Sequence, residues 1–127
     1  QYTMAVDRGN TRIAHLYQNL NPSIIRFLKQ TIEAAHKRGI HVSVCGEMGA
    51  DPYSVLVLIG LQVDELSVSP NAIPEVKRII RSVTFDQCRT LVKRVMRYRT
   101  TAEIESEIES FIMQHVPNSR HSKGASK

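Results

Sequence analysis

Most hydrophobic residues of this chain recur at helical spacing, and one short stretch alternates as a strand does. The first helical pattern follows Asn21, which caps it, and Pro22, whose missing N–H does no harm in a first turn. Apolar residues then recur at intervals of three and four until Gly39, which is typical of a helix end. The alternation over residues 40–45 predicts a strand with Cys45 at its carboxyl end.

The next stretch repeats this order of elements. Asp51 and Pro52 open a second helix that ends near Gly60, residues 65–69 predict a second strand, and residues 73–81 predict a third helix. A strand, a helix and a strand within about thirty residues form a βαβ unit, in which the two strands are parallel. The pattern therefore predicts an α/β fold.

Two capping boxes, Thr84-x-x-Gln87 and Thr100-x-x-Glu103, predict two further helices. The predicted buried positions of these helices are Phe85, Cys88, Leu91, Val92 and Val95 in the first and Ile104, Ile108, Phe111 and Ile112 in the second. Residues 117–127 have no apolar pattern, and we expect a disordered tail there. The expected domain is residues 1–116.

The size of the chain limits the architecture. Its 127 residues, 42% hydrophobic and 23% charged, suit one globular domain. Two strands and about five helices are too few for a (β/α)₈ barrel, which needs about 250 residues. The chain also begins with Gln1 rather than methionine. We therefore expect a piece of a longer protein, with sheet edges that favour association.

Charge and cysteine content restrict the setting. The net charge is +5, and residues 77–99 hold eight Lys or Arg against one acid, Asp86. That block is either an anion-binding or nucleic-acid-binding surface or the solvated face of helices. Two cysteines make no disulfide framework, and neither a signal peptide nor a membrane-spanning apolar run is present. The expectation is a cytoplasmic protein with reduced thiols.

Cys45 is the first candidate for chemistry. The carboxyl ends of parallel strands are where α/β proteins bind ligands. A thiol there can give a proton to a carbanion or attack an electrophile. The alternative is that Cys45 is a small buried hydrophobic residue.

Three further residues belong to the candidate site. Glu47, two residues after Cys45, either orients a substrate or is a loop acid facing water, and Gly46 gives that loop its freedom. Arg8, in Asp-Arg-Gly-Asn, either holds a phosphate or carboxylate or lies in an exposed turn. No His or Cys spacing predicts a metal site in this chain.

Four motifs follow one another along the chain: Gln-Tyr-Thr-Met-Ala-Val-Asp-Arg-Gly-Asn at residues 1–10, Cys-Gly-Glu-Met-Gly-Ala-Asp-Pro at 45–52, Asp-Glu-Leu-Ser-Val-Ser at 64–69 and Ile-Pro-Glu-Val-Lys at 73–77. Together they resemble the last third of bacterial enzyme I, the phosphoenolpyruvate (PEP)–protein phosphotransferase family of the sugar phosphotransferase system. Pyruvate phosphate dikinase and PEP synthase share the Cys-Gly-Glu element, so a PEP-binding domain of that kind is the alternative. One departure is the order Gly49-Ala50, which the family usually has as Ala-Gly.

The resemblance implies a fold and two site roles. The chain would be the C-terminal portion of a PEP-binding (β/α)₈ barrel. Arg8 matches the arginine that contacts the substrate phosphate, and Cys45 matches the cysteine that protonates the enolate to give pyruvate. Gly46 and Glu47 belong to the same signature loop. A proton donor must be a neutral thiol, unlike a nucleophilic cysteine.

The resemblance also implies partners. The family uses Mg²⁺, forms homodimers and passes the phosphoryl group to a histidine and on to the histidine phosphocarrier protein. The family's metal carboxylates and phosphoacceptor histidine would lie before Gln1, so we expect this chain alone to hold no Mg²⁺ and to be inactive. The expected partners include neither a membrane nor a nucleic acid. A basic nucleic-acid-binding helical module and a plain dimerisation module remain as other interpretations.

Overall fold

The fold combines a two-stranded parallel sheet with a group of helices. The computed structural model describes residues 1–7, 9–13 and 16–116, so the expected tail at 117–127 lies outside the described residues. In chain order the elements are α1 (Pro22–His36), β1 (Ser43–Cys45), α2 (Glu47–Ala50), α3 (Pro52–Gly60), β2 (Glu65–Ser67), a 3-10 turn (Pro70–Ala72), α4 (Ile73–Ser82), α5 (Phe85–Val95) and α6 (Thr101–His115). The predicted parallel strands and five helices are confirmed there, and α2 is an additional helix that the sequence did not predict.

Helix α3 lies at the centre of the core. Four consecutive residues, Val55 to Leu58, are each 0% exposed, as expected of a helix that is apolar on all sides. It packs against α5 so closely that a Cβ added to Gly60 would lie 2.4 Å from the Cys88 carbonyl oxygen. Ile59, the residue after Leu58, is only partly buried against this core.

Both predicted capping boxes form. The Thr84 hydroxyl oxygen accepts a hydrogen bond from the Gln87 backbone N–H at 3.3 Å, and the Gln87 side-chain oxygen accepts one from the Thr84 backbone N–H at 2.7 Å. Thr100 and Glu103 make the same reciprocal pair at the start of α6. These bonds satisfy backbone donors that the first turn of a helix leaves without partners.

The predicted buried stripes of α5 and α6 are confirmed except at one position. Eight of the nine side chains are buried: Cys88, Leu91, Val92, Val95, Ile104, Ile108, Phe111 and Ile112. The prediction was wrong at Phe85, which is 39% exposed. Phe85 is the first residue of α5. The Arg89 guanidinium lies over its ring, 5.8 Å from the ring centroid.

The sheet pairs Ser43 with Glu65, Val44 with Leu66 and Cys45 with Ser67. Both strands are shorter than predicted. In β1 the reason is that the Val42 N–H donates to the Asp64 side chain, at 2.8 Å, instead of to a backbone carbonyl of a neighbouring strand. In β2 the strand ends before Pro70, which begins the 3-10 turn.

Asp64 also connects the sheet to α1. Its Oδ2 lies 2.8 Å from His36 Nε2, near the C-terminal end of α1. The His36 hydrogen bond, followed by that from Val42, holds the pKa of the Asp64 carboxyl below its usual range. The Asp64 contacts lie at the amino ends of the two strands, whereas Cys45 lies at the carboxyl end of β1. They therefore hold the register of the sheet at the end away from Cys45.

Candidate functional site

The carboxyl ends of β1 and β2 meet at one edge of the sheet. In both strands the outer two residues are exposed and the middle one is half-buried, so one face of the sheet is open. Cys45 and Ser67 lie opposite each other at the ends of that open face. The predicted placement of Cys45 at the carboxyl end of a strand is confirmed, and the alternative of a small buried hydrophobic residue is wrong, because the side chain is exposed.

Gly46 turns the chain directly after β1. Its φ of +85° and ψ of −161° lie in a region that is open essentially to glycine alone. A Cβ there would meet no atom within 4 Å, so the requirement for glycine comes from the backbone and not from crowding. The predicted loop instead folds into α2, which starts at Glu47, an exposed residue.

Helix α2 is seated on the ends of both strands through Gly49. A Cβ on this buried glycine would lie 3.2 Å from Val68 Cγ1 and 3.5 Å from the Val44 carbonyl oxygen. Only a small residue suits that contact. The order Gly49-Ala50, which departs from the usual Ala-Gly, therefore places the glycine where α2 meets the sheet, with Ala50 half-buried beside it.

Asp51 ends α2 and starts α3. Its carboxylate accepts hydrogen bonds from the Ser54 N–H at 2.9 Å and the Ser54 hydroxyl at 2.5 Å. Ser54 is fully buried, and these bonds satisfy its hydroxyl group. The segment from Cys45 to Ala50, called the strand-end segment below, is thus held between the sheet and the most buried helix.

The two cysteines differ in accessibility. Both are free, but Cys45 is exposed whereas Cys88 is buried between helices. Burial raises the pKa of the Cys88 thiol to about 11. Of the two thiols, Cys45 is the one that a solute can reach.

Arg8 lies outside the described residues, so its predicted convergence with Cys45 on one ligand stays a prediction. The residues around it form local turns. The Gly9 N–H donates to Asp7 Oδ1 at 2.9 Å, and the Arg12 N–H donates to Asn10 Oδ1 at 3.0 Å. Such side-chain turns are typical of Asp and Asn in loops.

Three of the eight basic side chains in the basic block form ion pairs. Arg78 binds Glu75 at 2.7 Å, Arg89 binds Asp86 at 3.0 Å and Arg94 binds Glu107 at 3.0 Å. These ion pairs reduce the positive charge that a nucleic acid would meet. They favour the interpretation of the block as the solvated faces of α4 and α5.

Two further properties concern only the described part of the chain. Within it, no three His, Cys, Asp or Glu side chains come together in a way that would hold a metal ion. Among the helices of residues 22–115, none combines the length and apolar content needed to cross a membrane.

The comparison with known families matches the same region. The model of the PEP-utilising enzymes' PEP-binding domain matches residues 1–85, which include Arg8, the strand-end segment and β2.

Individual proteins give the same result. The chain is 40% identical to the phosphoenolpyruvate-protein phosphotransferase of Haemophilus influenzae over 118 residues, which cover 93% of this chain and 20% of that protein. It is 40% identical to the protein of that name from Staphylococcus carnosus over 111 residues, which cover 87% of this chain and 19% of that protein. It is 41% identical to a multiphosphoryl transfer protein of Escherichia coli over 111 residues, which cover 87% of this chain and 13% of that protein.

The chain thus spans about a fifth or less of the length of these relatives. The resemblance to enzyme I that the motifs indicated is confirmed at this level. From its match over residues 1–85, the chain belongs to the family of PEP-utilising enzymes, as part of their PEP-binding domain.

Proposed function

We propose that this chain is the C-terminal part of the PEP-binding barrel of a cytoplasmic PEP–protein phosphotransferase. In the whole enzyme the phosphoryl group of PEP passes to a histidine and then to the histidine phosphocarrier protein. The observation that carries the proposal is the exposed Cys45 thiol at the carboxyl end of β1, within the region matched by the PEP-binding family.

The proposed chemistry of Cys45 is protonation of carbon. When the phosphorus–oxygen bond of PEP breaks, the pyruvate enolate remains. Its carbon–carbon double bond supplies the electron pair for a new C–H bond to the methylene carbon. The S–H bond of Cys45 breaks, its electron pair stays on sulfur, and water later returns the proton. An exposed thiol at the carboxyl end of a strand suits this role.

The other proposed site residues act by position. Arg8 would bind the phosphate, because a guanidinium offers parallel donors to two phosphate oxygens. Gly46 supplies the backbone turn that ends β1 and brings Glu47 to the first position of α2. Glu47 and Gly46 would thus support the loop rather than react.

Mg²⁺ is proposed as a cofactor of the whole enzyme, where it would neutralise phosphate charge. The described residues of this chain do not assemble a set of ligands for it.

Barrel completion is supported by an apolar groove beside β2. The groove has a volume of about 440 Å³, and Leu66, Val68, Ile73 and Ile80 are among its lining residues. Ile73 and Ile80 are 40% and 44% exposed. Apolar surface next to a strand edge is what a further barrel strand and helix would cover. Homodimer formation is likewise proposed for the whole enzyme, as the resemblance to enzyme I implies.

A chimeric enzyme tests the proposal. Residues 1–116 of this chain replace the matching segment of the Haemophilus influenzae relative, and phosphohistidine formation and pyruvate release are measured separately. We expect Cys45→Ala to slow pyruvate release at least about tenfold, as loss of a general acid does, and to affect phosphohistidine formation less. The control is Cys88→Ala, which removes the buried thiol. Unaltered pyruvate release in Cys45→Ala would contradict the proposed role.

The chain alone supplies a second test. Titration of the 127-residue chain with PEP and Mg²⁺ should show only weak binding, because most of the proposed phosphate and metal contacts belong to other parts of the enzyme. Binding in the micromolar range, about −8 kcal/mol, would contradict this.

A further inference from the structure

We propose that Ser67 is a positioning residue for Cys45: its hydroxyl hydrogen-bonds the sulfur and stabilises the thiolate left when the proton is given up. This inference rests on the proposed function, because it concerns the same thiol. It adds a residue on the neighbouring strand, 22 positions away in the chain, to the strand-end segment that holds Cys45.

The sheet register places the two residues side by side. Cys45 and Ser67 are direct partners in the parallel pair, and neighbouring strands lie about 4.8 Å apart. Both side chains are on the open face, because the half-buried residues Val44 and Leu66 occupy the other face of their strands. The two side chains are not hydrogen-bonded to each other in the described part of the chain, and the proposed bond forms by rotation about χ1.

Both side chains are available for that bond. Within the described residues, neither the Cys45 thiol nor the Ser67 hydroxyl has a hydrogen-bond partner, whereas the hydroxyls of Ser54, Ser82 and Ser110 do. A hydroxyl can accept from S–H and, after rotation, donate to S⁻. Ser67 therefore suits both protonation states of Cys45.

The chemistry of proton donation gives the hydroxyl its effect. As the S–H bond breaks, negative charge develops on sulfur, and a hydrogen bond to a charged group is stronger than one to a neutral group. The bond therefore strengthens along the reaction, which is the condition for lowering a barrier.

Other charged groups face the same region. On β2, Glu65 shares the open face; on α2, Glu47 begins the helix; and on the chain leading into β1, His41 is exposed. Ser67 is the uncharged donor directly opposite Cys45.

Ser43 supplies the matched control. It is exposed on the same face of the sheet, but its register partner is Glu65. It lies two residues before Cys45, about 6.6 Å along the strand, which is beyond hydrogen-bond reach.

The experiment measures alkylation of Cys45 by iodoacetamide in this chain as a function of pH. Peptide mass spectrometry separates Cys45 from the buried Cys88, and circular dichroism verifies folding. The variants are Ser67→Thr and Ser67→Val, which have the same shape and differ only in the hydroxyl. We expect Ser67→Thr to keep the pH midpoint of the unaltered chain and Ser67→Val to raise it by about one unit, as loss of a hydrogen bond to a charged group predicts.

Two results would overturn the inference: an unchanged midpoint in Ser67→Val, or an equal rise in Ser67→Val and Ser43→Val. The failure of the proposed function is a separate observation, since it is read from pyruvate release in the Cys45→Ala chimera. A shifted midpoint together with normal pyruvate release in Cys45→Ala would leave the Ser67 contact standing and remove the catalytic role.

Discussion

The helices α3, α5 and α6 contribute buried apolar side chains to one hydrophobic core. In the strand-end segment, by contrast, Cys45, Gly46 and Glu47 are exposed. The helices are stabilised by removal of apolar surface from water and by side-chain caps. The strand-end segment depends instead on backbone geometry at Gly46 and on the close seat of Gly49 against both strands.

This difference separates stability from reactivity. A buried thiol such as Cys88 is difficult to ionise, while the exposed one is accessible. The helices therefore act as a support, and the chemistry is expected where burial is incomplete. Mutations in the two regions should have different consequences.

The largest effect is expected in the helical core. Leu91 in α5 is 0% exposed, so Leu91→Ala removes buried methyl groups and leaves a cavity, at a cost of about 2–5 kcal/mol in the free energy of unfolding. Urea denaturation measures this value. The control is Met113→Ala on the surface of α6, where we expect a change below about 0.5 kcal/mol. Equal effects of the two substitutions would contradict the assignment of the core.

A smaller effect is expected in the strand-end segment. Gly46→Ala forces a Cβ residue into a backbone region that is nearly exclusive to glycine, at a cost of about 1–3 kcal/mol. Urea denaturation and Cys45 alkylation are measured together. Because the strain lies next to Cys45, we expect faster alkylation as the segment opens locally.

Gly39→Asn is the control for Gly46→Ala. Gly39 has a φ of +68° at the end of α1, a conformation that asparagine accepts. This substitution should be nearly neutral, and Gly46→Asn should not be. If asparagine is tolerated equally at both positions, the backbone argument for Gly46 is wrong.

The smallest effect is expected at Asp64, whose side chain is partly exposed to solvent. Its carboxyl pKa is lowered in the folded chain by the His36 hydrogen bond and then by Val42. The resulting stabilisation is present above the unfolded-state pKa of about 3.9 and is lost as the pH falls through the lower folded-state value. Between about pH 5 and pH 2, the unaltered chain should therefore lose more stability than Asp64→Asn.

Comparison with Asp64→Asn isolates this contribution. Glu33, Glu75 and Glu103 also have lowered pKa values, and they titrate in both proteins, so their contributions cancel in the difference. Acid unfolding at a series of pH values gives the two stability profiles. Parallel profiles would contradict the stabilising role of the Asp64 contacts.

The sequence predicted the helices well for a local reason. Each capping box places two side-chain acceptors, a hydroxyl and an amide or carboxylate oxygen, three residues apart, so Thr84 with Gln87 and Thr100 with Glu103 can be recognised without knowledge of the fold. The prediction was wrong where a distant contact intervened. Gly49 is a poor helix former, yet it lies in α2 because contact with Val68 requires a small residue there.

The candidate site was predictable in part. A cysteine after a β-branched strand, followed by Gly46 and Glu47, indicated the strand end and its exposed thiol. The partner of that thiol could not be predicted, because the register depends on pairing across 22 residues. Ser67 alone in the sequence is an ordinary strand residue.

Local patterns established where the two strands and all the described helices except α2 lie, and which cysteine ends a strand, because side-chain spacing and caps act over three or four residues. Which residues meet was decided by folding: Asp64 with His36 across 28 positions, and Cys45 beside Ser67. Such contacts depend on how helices and strands pack against one another, and packing joins residues that no short-range pattern connects.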